Sequence, residues 1–271
     1  MKIAALQMVS GLDVQANLLQ ARSLMEQAAG LGAELVVLPE YFCALGARDV
    51  DKLAYREPFG KGPIQDFMAQ AAAELGLWVV AGTLPLEADD AQHVLNSSLV
   101  YSPQGQCVAR YDKIHLFQFD NGRERYVEAA VVQAGQQPVV CEIQAKSGET
   151  WRVGLTVCYD LRFPELYRAL SEQGADLLLV PSAFTYTTGQ AHWELLLRAR
   201  AVENLAYVLA PGQGGVHENS RKTWGHSMLV DPWGEVLALQ ASGAGVVMGE
   251  LCRQRLTEVR QQLPALTHRV L

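Results

Sequence analysis

Residues 151–166 constrain the fold of this chain most, because they predict a strand, a sharp turn and a helix in succession. Apolar side chains alternate along the strand, at Val153, Leu155 and Val157. The strand is predicted to end at Cys158. Pro164 suits the first turn of the helix, where an N–H group would have no intrahelical partner. The stretch therefore predicts an α/β fold with a cysteine between strand and helix.

Cys158 is a candidate nucleophile because of this position. A residue at a helix start lies near free backbone N–H groups and the positive end of the helix dipole. Such surroundings lower the pKa of a thiol, and the N–H groups can stabilise a developing oxyanion. The alternative is a buried structural cysteine, since most free cysteines are chemically inert. Position alone leaves both interpretations open.

Composition narrows the class of protein. The 271 residues suffice for a large core, and we expect one domain over residues 1–271. The net charge of −7 argues against nucleic acid or an anionic membrane surface as a partner. No apolar run approaches the ~18 residues that a membrane-spanning helix needs. The chain is therefore expected to work without nucleic acid or membrane.

The cysteines indicate a reducing compartment. Five are scattered along the chain without a CxxC pair: Cys43, Cys107, Cys141, Cys158 and Cys252. This spacing argues against a disulfide framework and against a cysteine-ligated zinc site. The first ten residues also lack the apolar segment of a signal peptide. We therefore expect a cytoplasmic protein.

The chain contains an internal sequence repeat. Gly-Ala-Glu-Leu-Val-Val-Leu-Pro-Glu at residues 32–40 resembles Gly-Ala-Asp-Leu-Leu-Leu-Val-Pro-Ser at residues 174–182. Each segment follows a predicted helix and ends in proline plus a polar residue. Two similar halves would give two mixed sheets packed together with helices outside. The alternative is that any connection from a helix to a buried strand converges on this pattern.

The spacing of apolar residues along the chain predicts the remaining helices and strands. Helices are predicted at residues 15–29, 62–75, 164–173, 189–204 and 253–262. Antiparallel strand pairs are predicted at 96–101 with 106–111, at 139–143 with 151–157, and at 226–230 with 235–239. Residues 114–137 are irregular and charged, which is typical of an active-site loop.

Three charged residues outside the cysteine stretch are candidates for chemistry. Glu40 ends an apolar run, and burial would raise its pKa toward the range of a general base. Lys113 closes a predicted strand, where it could stabilise negative charge beside a nucleophile. Glu128 lies in the irregular loop. Each is also compatible with an exposed, solvated side chain, and for Lys113 and Glu128 taken alone the sequence favours that interpretation.

Other kinds of catalytic site have less support in the sequence. His115, His192 and His226 lie in ordered stretches, but nothing links one of them to Cys158 as a Cys–His pair. The sequence has no HExxH, GxGxxG or P-loop motif. We therefore expect neither a metal nor a cofactor.

Three motifs together resemble the nitrilase superfamily of carbon–nitrogen hydrolases. They are Leu-Pro-Glu-Tyr-Phe around Glu40, Tyr-Asp-Lys-Ile-His-Leu-Phe around Lys113, and Gly-Leu-Thr-Val-Cys-Tyr-Asp-Leu-Arg-Phe-Pro-Glu-Leu around Cys158. The resemblance extends over essentially the whole chain, to Gly-His-Ser-Met-Leu-Val-Asp-Pro-Trp-Gly at residues 225–234. Within the superfamily it is strongest to the deaminated glutathione amidase and omega-amidase branch. Residues 119–132 depart from the family pattern, with Tyr-Val-Glu-Ala around Glu128.

The resemblance implies a four-layer α-β-β-α sandwich of two mixed sheets with outer helices. It also implies a homodimer or larger assembly and a catalytic triad of Glu40, Lys113 and Cys158, with Glu128 in support. Tyr159, Phe184 and His192 are the expected substrate-binding residues, His192 being equally compatible with helix packing.

The implied activity is hydrolysis of a small linear amide to a carboxylic acid and ammonia through a cysteine thioester. Deaminated glutathione or a related keto-amide is the expected substrate. Alternatives with the same triad are an N-carbamoyl amino acid amidohydrolase, an acyl-transferring relative and a nitrile hydrolase. A non-enzymatic binding protein on this scaffold is a further alternative.

Overall fold

The computed structural model describes residues 1–122 and 124–270. Arg123, within the loop predicted at 114–137, and Leu271 lie outside the described residues. The α-helices in this part of the chain are α1 (Val14–Gly30), α2 (Pro63–Leu75), α3 (Pro164–Glu172), α4 (Tyr186–Asn204) and α5 (Arg253–Gln262). Short 3₁₀ helices lie at Asp49–Tyr55, Glu128–Ala130, Cys158–Arg162 and Ala265–Thr267.

The strands divide between the two halves of the chain. The first nine are β1 (Lys2–Gln7), β2 (Leu35–Val37), β3 (Trp78–Val80), β4 (Leu84–Glu87), β5 (Val94–Tyr101), β6 (Cys107–Asp112), β7 (Gln118–Asp120), β8 (Arg125–Val127) and β9 (Val132–Gln133). The others are β10 (Val139–Gln144), β11 (Thr150–Leu155), β12 (Leu177–Leu179), β13 (Tyr207–Ala210), β14 (Gly214–Val216), β15 (Lys222–Trp224), β16 (Ser227–Val230), β17 (Val236–Gln240) and β18 (Gly245–Glu250).

Two large sheets repeat one topology. The first has the order β18-β1-β2-β3-β5-β4, with β6 and β9 also paired to β5, and the second has the order β10-β11-β12-β13-β16-β17. Along both paths the pairings run antiparallel, parallel, parallel, antiparallel, antiparallel. The two repeated segments, residues 32–40 and 174–182, supply β2 and β12, and each of these strands is the third in its sheet. The predicted internal symmetry is confirmed.

Alternation along β1 shows how the layers stack. Ile3 and Ala5 join the large core that includes residues of the second sheet, whereas Ala4 and Leu6 join a second core with residues of α1 and α2. A strand whose two faces are both buried lies between two layers. Helices α3 and α4 cover the second sheet in the same way, and their apolar side chains belong to the large core. The arrangement is the expected α-β-β-α sandwich.

Local signals explain where the helices begin and end. The Asp13 side chain accepts a hydrogen bond of 2.8 Å from the Ala16 amide and caps α1. Pro63 and Pro164 occupy the first positions of α2 and α3. Gly76 ends α2 in the left-handed conformation, with φ of 62°. No helix of the described residues is both long and apolar enough to cross a membrane.

The structure confirms the three predicted strand pairs and corrects several boundaries. Strand β11 ends at Leu155, and a 3₁₀ helix at Cys158–Arg162 precedes α3. Helix α4 begins at Tyr186 rather than at residue 189. The loop predicted at 114–137 contains the β7–β8 hairpin, a 3₁₀ turn and β9, because short elements with few apolar residues leave little periodicity.

Gly82 fixes the chain beside the predicted catalytic glutamate. Its φ is +32°, and a Cβ atom there would lie 2.0 Å from the carbonyl oxygen of Pro39, the residue before Glu40. Only glycine lets two backbone segments approach this closely. The contact holds the end of β2 against the segment that follows β3.

We expect Gly82→Ala to lower the free energy of unfolding by about 3 kcal/mol, because the added methyl group collides with backbone that cannot move freely. Gly76→Ala is the matched control, since Gly76 also has a positive φ but open space around it. Its cost is expected to be about 1 kcal/mol. Urea denaturation measures both, and equal losses would contradict the collision.

Candidate active site

Four predicted residues meet where strands of both sheets end. Glu40 follows β2 and Cys158 follows β11, while Lys113 directly follows β6. Glu128 opens the 3₁₀ turn after β8. All four are at least nine-tenths buried. The sequence alternative, that these charges lie in solvent, is wrong.

The Lys113 ammonium lies between two carboxylates. Its Nζ is 2.9 Å from Glu40 Oε1 and 2.8 Å from Glu128 Oε2. Burial by itself would lower the pKa of Lys113, but the charges of Glu128 and Glu40 raise it well above its usual range. Burial likewise opposes ionisation of Glu128, yet Lys113 holds the pKa of that carboxyl below its ordinary value. Lys113 is therefore a permanent cation.

Further donors hold Glu40 in place. The Asn96 side-chain amide donates to Glu40 Oε1 at 2.9 Å. The backbone N–H of Ala183, just after β12, donates to Glu40 Oε2 at 2.8 Å. Together with the Lys113 ammonium, these two donors replace the hydrogen bonds that the carboxyl group would otherwise make to water. Glu40 thus joins an element of the first sheet to one of the second.

Glu128 has its own set of donors. The Tyr41 hydroxyl donates to Oε1 at 3.0 Å, and the Phe117 amide donates to Oε2 at 2.7 Å. Asn96 also reaches Oε1 at 3.3 Å. Sequence reasoning missed Asn96 and Tyr41. The polar run Asn96-Ser97-Ser98 inside the predicted strand was the available signal, because a buried amide needs hydrogen-bond partners.

The Cys158 turn is strained. Cys158 has a φ of +49°, and its N–H donates to the Pro181 carbonyl at 3.0 Å. Left-handed backbone costs energy for a residue with a Cβ, so the surrounding packing imposes it. Tyr159 follows in the first turn of the 3₁₀ helix, where amide N–H groups lack intrahelical acceptors.

The expectation of a lowered thiol pKa is wrong for this resting arrangement. Burial, and next the charge of Glu40, raise the pKa of Cys158 well above its usual range, and they outweigh the opposing charge of Lys113. In the resting arrangement Cys158 is therefore a neutral thiol beside the side chain of Glu40. A neutral thiol needs a proton acceptor before it can act as a nucleophile.

Asp160 connects the turn at Cys158 (the cysteine turn) to residues 111–115 around Lys113 (the lysine segment). Its Oδ2 accepts from the Tyr111 hydroxyl at 2.7 Å and from the Val157 amide at 2.8 Å. Its Oδ1 accepts from the His115 amide at 3.0 Å and contacts His115 Nδ1 at 2.8 Å. Tyr111 and His115 flank Lys113 in the chain. His115 therefore serves this network and does not pair with Cys158.

A cavity that is partly open to solvent is lined by all four residues. Tyr159 and Phe184 line it, as predicted. His192 does not: it is exposed on α4 and its ring lies 3.3 Å from the Arg162 guanidinium, because the inward position belongs to Trp193.

No group of three or more His, Cys, Asp or Glu side chains suited to a metal ion occurs within residues 1–122 and 124–270. The buried polar network instead uses an ammonium as its cation. The expectation that the reaction needs no metal stays a prediction.

Comparison with known proteins decides the family. The carbon-nitrogen hydrolase family model matches residues 2–261. The chain belongs to this family. It is 44% identical over 270 residues to the deaminated glutathione amidase of Synechocystis, covering 98% of this chain and 97% of that protein.

Solved structures of the superfamily resemble this chain over almost its whole length. Saccharomyces cerevisiae Nit3, a member of branch 10 of the nitrilase superfamily, superposes with a TM-score of 0.88 at 29% identity, covering 100% of this chain and 97% of that one. A glutamate-to-glutamine variant of the amidase from Nesterenkonia sp. AN1 has a TM-score of 0.82 at 25% identity, covering 100% and 94%. That structure contains the acetamide moiety of fluoroacetamide added covalently at the active-site cysteine. The present chain is an enzyme of this superfamily that hydrolyses a small-molecule amide.

The raised pKa of Cys158 predicts its ionisation state. A free thiol with a pKa of about 8.5 is roughly one quarter ionised at pH 8. We expect no thiolate absorbance from Cys158 at that pH, because burial and Glu40 disfavour the anion. The difference in ultraviolet absorbance near the thiolate band between wild type and Cys158→Ala measures it. A thiolate signal from Cys158 at pH 8 would contradict the assignment.

Asp160→Asn should separate the cysteine turn from the lysine segment. Asparagine keeps the size but loses the charge that four contacts share, so we expect kcat to fall about 10- to 100-fold and stability to fall by about 2 kcal/mol. Tyr111→Phe, which removes one of those contacts, should cost less in both. Steady-state kinetics and urea denaturation test this. Equal effects of the two variants would rule out the connecting role of Asp160.

Proposed function

We propose that Glu40, Lys113 and Cys158 form a catalytic triad that hydrolyses a small linear amide through a cysteine thioester. The supporting observation is the buried Lys113 ammonium held between Glu40 and Glu128 in the cavity that Cys158 lines. We further propose deaminated glutathione or a related keto-amide as the substrate. The 44% identity to a deaminated glutathione amidase supports this choice.

The first half of the reaction forms the thioester. Glu40 accepts the thiol proton as the Cys158 sulfur attacks the carbonyl carbon of the amide. The Lys113 ammonium and the Tyr159 backbone N–H stabilise the oxyanion, and a donor of this kind contributes on the order of 3 kcal/mol. When the tetrahedral intermediate collapses, the carbon–nitrogen bond breaks and the protonated Glu40 gives its proton to the leaving nitrogen.

The second half releases the acid. Glu40, again ionised, accepts a proton from water while the water oxygen attacks the thioester carbon. Collapse expels the sulfur, which regains the proton from Glu40. Glu128 holds the Lys113 ammonium in place through both halves, and Tyr159 and Phe184 form part of the substrate cavity.

The leaving group depends on the substrate. Deaminated glutathione contains secondary amides only, so its hydrolysis frees an amine, whereas ammonia leaves from a primary amide such as α-ketoglutaramate. Cleavage of the amide that joins the keto acid to cysteine would give the same acyl enzyme from both compounds. We propose that this amide is the bond that is cleaved.

The broader setting is also a proposal. We propose one hydrolase domain over residues 1–271, supported by the C-terminal β18 pairing with β1. A cytoplasmic location is supported by the five free cysteines, which suit a reducing compartment. A homodimer or larger assembly is supported by exposed apolar side chains on α4 and near β17: Leu195, Val202, Trp233, Leu237 and Leu239.

The substrate assay exploits the chemistry of deaminated glutathione. The compound has no amino group, so each cleavage creates one where none existed. We expect wild type to release amine and Cys158→Ala to release none, while Glu40→Gln lowers kcat by about 10³ or more. Cys252→Ala is the matched control, since Cys252 is an exposed cysteine remote from the cavity.

Intact-protein mass spectrometry of acid-quenched enzyme should show the keto-acyl group on Cys158. Undiminished turnover by Cys158→Ala would refute the triad. Turnover confined to a carbamoyl amino acid or a nitrile would keep the triad and refute the substrate.

A further inference from the structure

Arg221 differs from the other cations of the active-site cavity. Three cationic residues line that cavity: Lys52, Lys113 and Arg221. Lys113 pairs with its two glutamates, and Lys52 lies 2.9 Å from Asp49. No carboxylate of the described residues forms an ion pair with Arg221, and its Nε is buried without a hydrogen-bond partner. A buried donor without an acceptor is costly and uncommon in native proteins.

The Arg221 side chain is nevertheless held in position. Its guanidinium lies over the Tyr126 ring, 5.2 Å from the centroid. Its backbone N–H donates to Asn219 Oδ1 at 3.0 Å, and Asn219 Nδ2 donates to the carbonyl oxygens of Leu45 and Gly46. The turn between β14 and β15 is thereby tied to the segment after Glu40. A planar guanidinium fixed in this way is suited to bidentate binding of a carboxylate.

Arg221 lies where the cavity opens. Together with Asp49 and Tyr126 it lines both the cavity and a wider outer cleft. In a thioester mechanism the acyl half of the substrate stays on Cys158, and the amine half has to depart through the opening. An orientation with the amine half toward the outer cleft lets that half depart while the acyl half stays on Cys158.

We propose that Arg221 binds a carboxylate on the amine half of the substrate and so selects amides whose leaving group is anionic. This inference rests on the proposed thioester function and adds a specificity-determining residue to it. In deaminated glutathione the group concerned is the glycine carboxylate.

Two substrates that share the same acyl group but differ in their leaving group test the proposal. Deaminated glutathione has an anionic leaving group, and α-ketoglutaramate releases ammonia. Arg221→Gln is expected to lower kcat/KM for deaminated glutathione about 10- to 100-fold, as loss of a charge-assisted hydrogen bond does, and to leave α-ketoglutaramate unchanged. Arg221→Lys should give an intermediate loss. Arg152→Gln is the charge-matched control, because Arg152 pairs with Glu142 on the exposed surface near the start of β11.

The glycinamide form of deaminated glutathione completes the test. Wild type should cleave it as slowly as Arg221→Gln cleaves the acid. Equal losses for both substrates would mean that Arg221 binds the carboxylate of the shared acyl half or only supports Tyr126, and either result would overturn the proposal. Equal cleavage of the acid and the glycinamide by wild type would overturn it as well.

A binding measurement separates this inference from the choice of substrate. Alanylglycine, a mimic of the amine half that carries its carboxylate, should slow alkylation of Cys158 by iodoacetamide in wild type but not in Arg221→Gln, and alanylglycinamide, which lacks that carboxylate, should not slow it in either. Mass spectrometry of the Cys158 peptide measures the rates. If wild type fails to cleave deaminated glutathione, the substrate proposal fails, and protection by alanylglycine still supports the carboxylate site. Absence of protection in wild type contradicts the site.

Discussion

The site depends on one buried ammonium shared by two carboxylates. Lys113 has almost no contact with solvent, and Glu40 and Glu128 both lie within ion-pair distance of it. Desolvation of three charges is expensive, so the arrangement persists only because Asn96, Tyr41 and backbone amides complete the hydrogen bonding. The charges are therefore fixed before any substrate arrives, and such preorganisation makes oxyanion stabilisation effective.

The internal repeat of the fold explains why Glu40 and Cys158 lie close together. Glu40 follows the third strand of the first sheet, and Cys158 follows the second strand of the other sheet. The Ala183 amide, which follows strand β12, donates to Glu40, so the second half of the chain helps to hold a side chain supplied by the first. Packing two repeated sheets face to face brings their strand ends together at one end of the sandwich.

Motifs in the sequence predicted the layer order, the two sheets and the convergence of Glu40, Lys113, Glu128 and Cys158. The partners that keep those charges buried were not predictable, since Asn96 and Tyr41 reach them through sheet pairing and a left-handed turn. These contacts depend on distances that spacing along the chain does not encode.

Two other features escaped prediction for physical reasons. The direction of the Cys158 pKa shift depends on burial and on the nearness of Glu40, and neither follows from its place at the start of a helix. His192 was misplaced because a one-residue rotation on α4 exchanges an inward side chain for an exposed one, and Trp193 takes the inward position.

A double-mutant cycle on Lys113 and Glu128 tests the shared ammonium most directly. Urea denaturation near pH 7 would give the free energy of unfolding for wild type, Lys113→Met, Glu128→Gln and the double variant. Lys113→Met should cost about 3–5 kcal/mol because it leaves two buried carboxylates without a cation. Adding Glu128→Gln should restore part of that stability. If the two losses simply add, the carboxylates do not depend on Lys113, and the account of the site is wrong.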